Sequence, residues 1–210
     1  MGIFGDPDSI TQKALAILRI GDNFHLFVIF MLVAVLYIYF NEYKKGNWNV
    51  IVSGLTLYSI HWLAEILNAI FQALFGNALW TVPDGTAYLI FVGVGIELSL
   101  MFSIAGIVAA KMLPDDPKKK ILGLHNRLVI GVGCAALAAI IEIFLIYTPT
   151  FYWAYWWWNA LTVFIVVYIP FFVTATYAHD WRPKKQKTVI LSLVAINVIL
   201  VCIFVPLGWI

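Results

Sequence analysis

Charge is scarce in this chain: Asp, Glu, Lys and Arg make up 11% of its 210 residues, less than half the share of an ordinary soluble domain. With 63% hydrophobic residues, a water-facing globule is excluded and an integral membrane protein is expected. The charge balance is slight too. Thirteen Lys and Arg against eleven Asp and Glu give a net +2, so there is no positive field for nucleic acid. Only two cysteines occur, Cys134 and Cys202, each inside an apolar run, which excludes a disulfide framework and a Cys-rich metal site. P-loop, Rossmann-glycine, Gly-x-Ser-x-Gly and His-Glu-x-x-His patterns are missing. So are voltage-sensor arginines and a retinal-type lysine in a late span.

The four histidines rule out a further class. His25, His61, His125 and His179 fall at different expected depths, so no two imidazoles face each other to hold a haem. A carboxylate di-metal bundle needs paired Glu-x-x-His motifs. This chain has one His-x-x-x-Glu, in the reverse order, with no second copy. No metal and no cofactor are expected.

What remains is hydrocarbon. Six unbroken apolar stretches, near 23–41, 48–75, 86–112, 127–148, 152–178 and 188–209, are each long enough to span as helices. A β-barrel is excluded because the runs do not alternate with period two. The expected architecture is an all-α, polytopic membrane bundle in one domain over 23–210. It is preceded by an interfacial segment, 1–22, in which Asp8 or Ser9 caps a short helix running to Ile20. That segment lacks the continuous apolar core of a removable signal peptide, so the first span is expected to direct insertion. Lys and Arg gather after spans one, three and five, at Lys44, Lys45, Lys111, Lys118 to Lys120, Arg127, Arg182, Lys184, Lys185 and Lys187. The loops 76–85 and 147–151 carry none. Basic loops stay cytoplasmic, which directs both termini outside or into a lumen.

Ionisable groups inside a bilayer cost roughly 2.5–3.5 kcal/mol each on insertion scales, so each one here needs a reason. Span two carries His61 and Glu65, span three Glu97 and span four Glu142, with no Lys or Arg at their depth. A glutamate without a partner is expected to be neutral there, and a neutral carboxyl beside a histidine is a dry proton donor and acceptor. Tyr58, His61, Glu65, Asn68 and Gln72 recur at spacings of three and four and share one helix face. At a rise of about 1.5 Å per residue, His61, Glu65 and Glu142 lie about 20, 25 and 22 Å above the cytoplasmic edge. Asn159 comes to a similar level and Glu97 slightly deeper. Gly131, Ala135 and Ala138 prepare close helix packing on the Glu142 stripe. Span five opens with Phe151, Tyr152, Trp153, Tyr155, Trp156, Trp157 and Trp158, denser in aromatics than an interfacial belt needs. Indoles turned inward would suit an apolar substrate that passes through a cation.

Taken together, His61 and Glu65 on span two, the lone Glu97 on span three and the opening Trp158-Asn159-Ala160-Leu161 of span five resemble the emopamil-binding protein and sterol Δ8–Δ7 isomerase family, over about residues 23–180. The resemblance implies a bundle around a cavity open to the bilayer. It also implies double-bond migration through a carbocation, with His61 and Glu65 handling protons, Glu97 stabilising the cation or serving as a second acid/base, and Asn159 touching the ligand. Thr162 stands where that family has a tryptophan, with Trp158 the nearby indole, and span six has no counterpart. Fungal membrane terpene cyclases, small and Trp-rich with paired carboxylates, are a second likeness.

The expected partner is therefore a sterol- or isoprenoid-like lipid, with His61, Glu65 and Glu97 catalytic and Tyr58, Asn68, Glu142, Trp157, Trp158, Asn159 and Thr162 lining its site. A proton-coupled transporter, or a non-catalytic subunit of a homo-oligomer or larger membrane complex, is the competing expectation.

Overall fold

In a computed structural model describing residues 6–210, the chain begins with α1 (Pro7–Ala16). The Asp6 carboxylate accepts a hydrogen bond from the Ser9 amide at 3.3 Å, and Pro7 fills the first turn, where its missing N–H costs nothing. The cap is thus Asp6 rather than Asp8 or Ser9, and the helix ends at Ala16, short of Ile20. Residues 1–5 of the expected interfacial segment lie outside the described residues. The rest of that segment packs on protein: Ile10 and Ala14 are buried, and the Arg19 amide donates to the Leu89 carbonyl at 2.9 Å.

The bundle follows as α2 (Phe27–Lys44), α3 (Trp48–Phe75), α4 (Ile96–Lys111), α5 (Asn126–Leu145), α6 (Ala160–Val163), a π-helical turn (Phe164–Tyr168), α7 (Ile169–Ala178) and α8 (Pro183–Phe204). Five stretches are long and apolar enough to cross a membrane: α2, α3, α5, the α6–α7 run and α8. The protein is an all-α membrane bundle. The second expected span coincides with α3, and the first and last shift by a few residues.

Two spans are cut short. Helix in the third starts at Ile96 instead of residue 86, because 86–95 folds into the strands β2 (Leu89–Phe91) and β3 (Val94–Gly95). The 16 residues of α4 reach about 24 Å, less than the roughly 30 Å hydrocarbon core. Apolar continuity cannot distinguish a buried hairpin from a helix. Phe91, Val92 and Val94 are buried, which is the condition for non-helical backbone near a membrane. The fifth span is helical only from Ala160. Ahead of it, β6 (Tyr152–Trp153) pairs antiparallel with β1 (Trp80–Thr81), in the register Trp80↔Trp153 and Thr81↔Tyr152.

Helix α3 is central, touching α4, α7 and α8, while α5 leans on α7. Small residues permit these approaches. A methyl group added at Gly106 would sit 2.6 Å from the Ser53 carbonyl oxygen on α3, and one at Gly131 would sit 2.9 Å from the Val173 Cα on α7. By contrast, α4 and α5 hardly touch each other, and the gap between them opens sideways.

The two ends of the bundle are closed differently. At one end, α1, β1, β6 and the β2–β3 hairpin form a lid. At the other, where the basic loops gather, β4 (Lys120–Ile121) and β5 (Leu124–His125) precede the buried Arg127. Its guanidinium donates to Asp180 at 2.6 and 2.9 Å, to the Pro114 carbonyl at 2.8 Å and to Asn126 at 2.8 Å. Burial alone would raise the Asp180 carboxyl, but hydrogen bonds from Arg127 and His179 hold it below its ordinary value.

Candidate functional site

One turn of α3 carries His61 and Glu65, buried at 1% and 4% exposure. Both face a small cavity of about 30 Å³, room for a water molecule or two. Asn68, three residues on, builds the roof. Its Oδ1 accepts from the Leu79 and Trp80 amides at 2.8 and 3.4 Å, and its Nδ2 donates to the Trp80 carbonyl at 2.9 Å. β1 is thereby pinned over the cavity. The hairpin turn closes on the same point: a methyl group at Gly93 would come within 2.5 Å of both Asn68 Nδ2 and Trp80 Nε1.

The strand register then delivers the ligands of two carboxyls. Trp80 Nε1 donates to both oxygens of Glu65 at 3.2 Å, and its strand partner Trp153 donates to Glu142 Oε1 at 2.6 Å. The second Glu142 oxygen accepts from the Tyr168 hydroxyl at 2.5 Å. Tyr168 belongs to the π-helical turn, and such single-turn bulges recur at functional sites because the extra residue re-aims a side chain.

Indole N–H groups only donate, so Trp80 and Trp153 position the carboxyls without exchanging protons with a ligand. The groups able to pass a proton into the cavity are His61, Glu65, Glu142 and Tyr168. His61 Nδ1 lies 3.8 Å from Glu65 Oε1, close but beyond a direct hydrogen bond. The imidazole stacks on Phe102, with ring centroids 4.1 Å apart, and its Nε2 has no hydrogen-bond partner among the described residues. Neither does Trp158 Nε1, on a ring stacked against Trp80 at 5.6 Å.

Of the residues expected from sequence, His61, Glu65, Glu142 and Trp158 thus meet at one cavity. Others are employed elsewhere. Glu97 sits in the first turn of α4 under the lid, where its carboxylate accepts from Thr86 Oγ1 at 2.6 Å and the Ala87 amide at 2.7 Å. Its partners are thus residues of the lid rather than His61 or Glu65. Asn159 is the N-cap of α6, accepting from the Leu161 and Thr162 amides at 3.1 and 3.3 Å, so its amide serves the helix rather than a ligand. Thr162 donates to the Trp157 carbonyl at 2.8 Å, and Trp157 is 40% exposed. Neither lines the cavity. Tyr58 bonds Ser99 at 3.0 Å and stacks beside His61, and Asn68 supports the roof. Trp80, Tyr168 and Phe102 were not among the expected residues, and Trp153 was expected only as one of the aromatics opening span five. A tryptophan in a loop without any basic residue was the available sign for Trp80, and a hydroxyl two residues before Pro170 was the sign for Tyr168.

A second hollow adjoins this cavity. Between α4 and α5 lies an apolar groove of about 270 Å³ that shares Leu98, Phe102, Glu142 and Tyr168 with the small cavity. Glu142 therefore stands in the wall between an apolar groove and the smaller cavity that holds His61 and Glu65.

This bundle, with its lid, has relatives. Residues 8–206 match a family described as "Uncharacterized membrane protein family". The chain belongs to that family. A protein of Archaeoglobus fulgidus, described as "Uncharacterized protein", is 39% identical over 206 residues, covering 96% of this chain and 98% of that one. No solved structure matches. The family match runs from α1 past the end of α8, so it takes in both the lid and the bundle.

Proposed function

We propose that this protein binds a sterol- or isoprenoid-like membrane lipid and moves or closes a double bond in it by proton transfer, without a cofactor. The observation that carries this reading is the convergence of two carboxyls and an unpartnered imidazole nitrogen on one small cavity beside an apolar groove. The cavity admits only the reacting segment, and the rest of the lipid lies in the groove.

In this mechanism Glu142 gives its proton to one carbon of the double bond, and the π pair becomes the new C–H bond. The adjacent cation faces the rings of Trp158, Trp80 and Phe102, whose π faces attract positive charge. Glu65, with His61 beside it, takes a proton from a neighbouring carbon, and that C–H pair becomes the new double bond. Between turnovers Glu65 gives its proton to water and Glu142 takes one from water, which resets the site and carries solvent hydrogen into the next lipid. Trp80 and Trp153 hold the carboxyls in place throughout. The likeness to sterol isomerases in the His61–Glu65 spacing supports the same pairing. Glu97 has no proton-handling part here. The lid faces outward or into a lumen, since Lys and Arg gather at the opposite end.

A proton-coupled transporter is the competing reading, favoured by the interrupted α6–α7 run. Phe102 and Phe171, which wall the cavity on the side of the basic loops, favour a closed chamber over a path. Native mass spectrometry with lipid extraction separates the readings. Wild type is expected to carry an unsaturated lipid and its double-bond isomer, and Glu65→Gln the unconverted lipid alone. Protein that arrives empty, with stoichiometric partner chains, would overturn the proposal.

A further inference from the structure

The groove between α4 and α5 does not end at Glu142. Leu98, Met101, Ile141 and Leu145 line both the 270 Å³ groove and a further hollow of about 200 Å³ beneath the lid. The result is one trough running from Met112 and Cys134 at its lower end to Thr86, Glu97 and Thr150 at its upper end. Along α5, the distance from Cys134 to Leu145 is about 16 Å, with Glu142 about 12 Å up. The trough is apolar below, faces the bilayer along its length and turns polar only at the top.

The polar end has one sign. Glu97 contributes a carboxylate and Asp84 lies beside Gly85 at the rim, whereas no Lys or Arg lines the hollow. Glu97 already accepts from Thr86 and the Ala87 amide, but two carboxylate oxygens offer about four lone-pair sites. It can take another hydrogen bond from an O–H. A phosphate brought there would meet a carboxylate with no compensating cation, an unfavourable like-charge juxtaposition.

We propose that this trough seats one linear lipid chain with an uncharged hydroxyl head, the head at Thr86, Glu97 and Thr150 and the tail at Cys134 and Met112. A double bond a few carbons from the hydroxyl then lies against Glu142. This rests on the proposed proton-transfer site only in naming the bond that reacts; the seat and its head preference stand on the trough alone. An anionic, phosphorylated lipid is disfavoured at the upper end.

The test uses the full-length protein in lipid nanodiscs and a geranylgeraniol analogue carrying a photoactivatable diazirine at its tail, alongside the monophosphate of the same probe. The alcohol is expected to label α4 and α5 near Met112 and Cys134 about tenfold more than the monophosphate does. Gly133→Phe, where an added Cβ meets nothing within 4 Å, should fill the groove and cut labelling about tenfold. Leu137→Trp, at an exposed position on the same groove, is the second variant should the first fail to fold. Glu97→Gln should narrow the preference for the alcohol. Equal labelling by alcohol and monophosphate, labelling away from α4 and α5, or labelling that ignores both filling variants would overturn the proposal. Glu65→Gln keeps wild-type labelling if the trough is right. Wild type that is labelled yet exchanges no proton into the bound lipid would sink the proton-transfer reading and leave the trough standing.

Discussion

Arg127 and His61 are both about 1% exposed, and their surroundings differ in kind. Arg127 sends its guanidinium N–H groups to Asp180, Pro114 and Asn126, and the Thr176 hydroxyl caps its carbonyl at 2.9 Å. His61 stacks on Phe102 and leaves Nε2 without a partner, facing two carboxyls and an equally unpartnered indole N–H. A satisfied polar cluster is a fastener that fixes α5 against α7 and the basic loops. An unsatisfied one, kept beside a cavity, leaves each idle polar group costing about 1–3 kcal/mol and free to bond a guest. Burial alone does not separate the two; satisfaction does.

Three substitutions sharpen this contrast. The largest effect is expected at the cavity, where Glu65→Gln should lower proton exchange into the bound lipid about 10²–10⁴-fold while leaving the melting temperature near that of wild type. Loss of folding with no specific loss of exchange would erase the distinction. At the opposite end the pattern should reverse. Asp180→Asn strands the buried Arg127 charge and should cost about 3 kcal/mol, read by thermal unfolding in detergent, with exchange per folded molecule unchanged.

Acid sharpens that prediction. Because the folded Asp180 carboxyl sits below its ordinary value, its contribution is present above about pH 4 and is lost as pH falls through the folded value. Wild type and Asp180→Asn should therefore converge in stability at acid pH and differ at neutral pH. A gap that stays constant with pH would contradict the ion pair. The smallest effect belongs to the roof: Asn68→Ala frees the Leu79 and Trp80 backbone groups and should cost about 1–3 kcal/mol. It should also slow exchange moderately, since Trp80 then positions Glu65 less well.

The same contrast explains what the sequence made legible. His61, Glu65 and Glu142 were visible because ionisable residues in a long apolar run are conspicuous, and helical spacing gives their depth. Their orienting partners were not, because Trp80 and Trp153 meet only through a two-residue strand pairing between loops far apart in the chain. No periodicity reports such a pair. Tyr168 was hidden for a related reason: the π turn shifts the face it presents, and α-helical counting assumes no shift. Glu97 and Asn159 were expected beside the cavity and instead bond the lid and cap α6, because apolar continuity ran the helix through residues that form a hairpin and an aromatic turn. The fold class survived these errors since it depends on total hydrocarbon length, whereas the site depends on where each helix begins.

The most direct test of the central account measures deuterium taken from D₂O into the bound lipid, with wild type, Glu142→Gln and Asp180→Asn compared in the same nanodiscs. The account predicts deuterium at carbons flanking a double bond in wild type and Asp180→Asn, and none above background in Glu142→Gln. Equal incorporation in all three, or none in wild type carrying a bound unsaturated lipid, would contradict it.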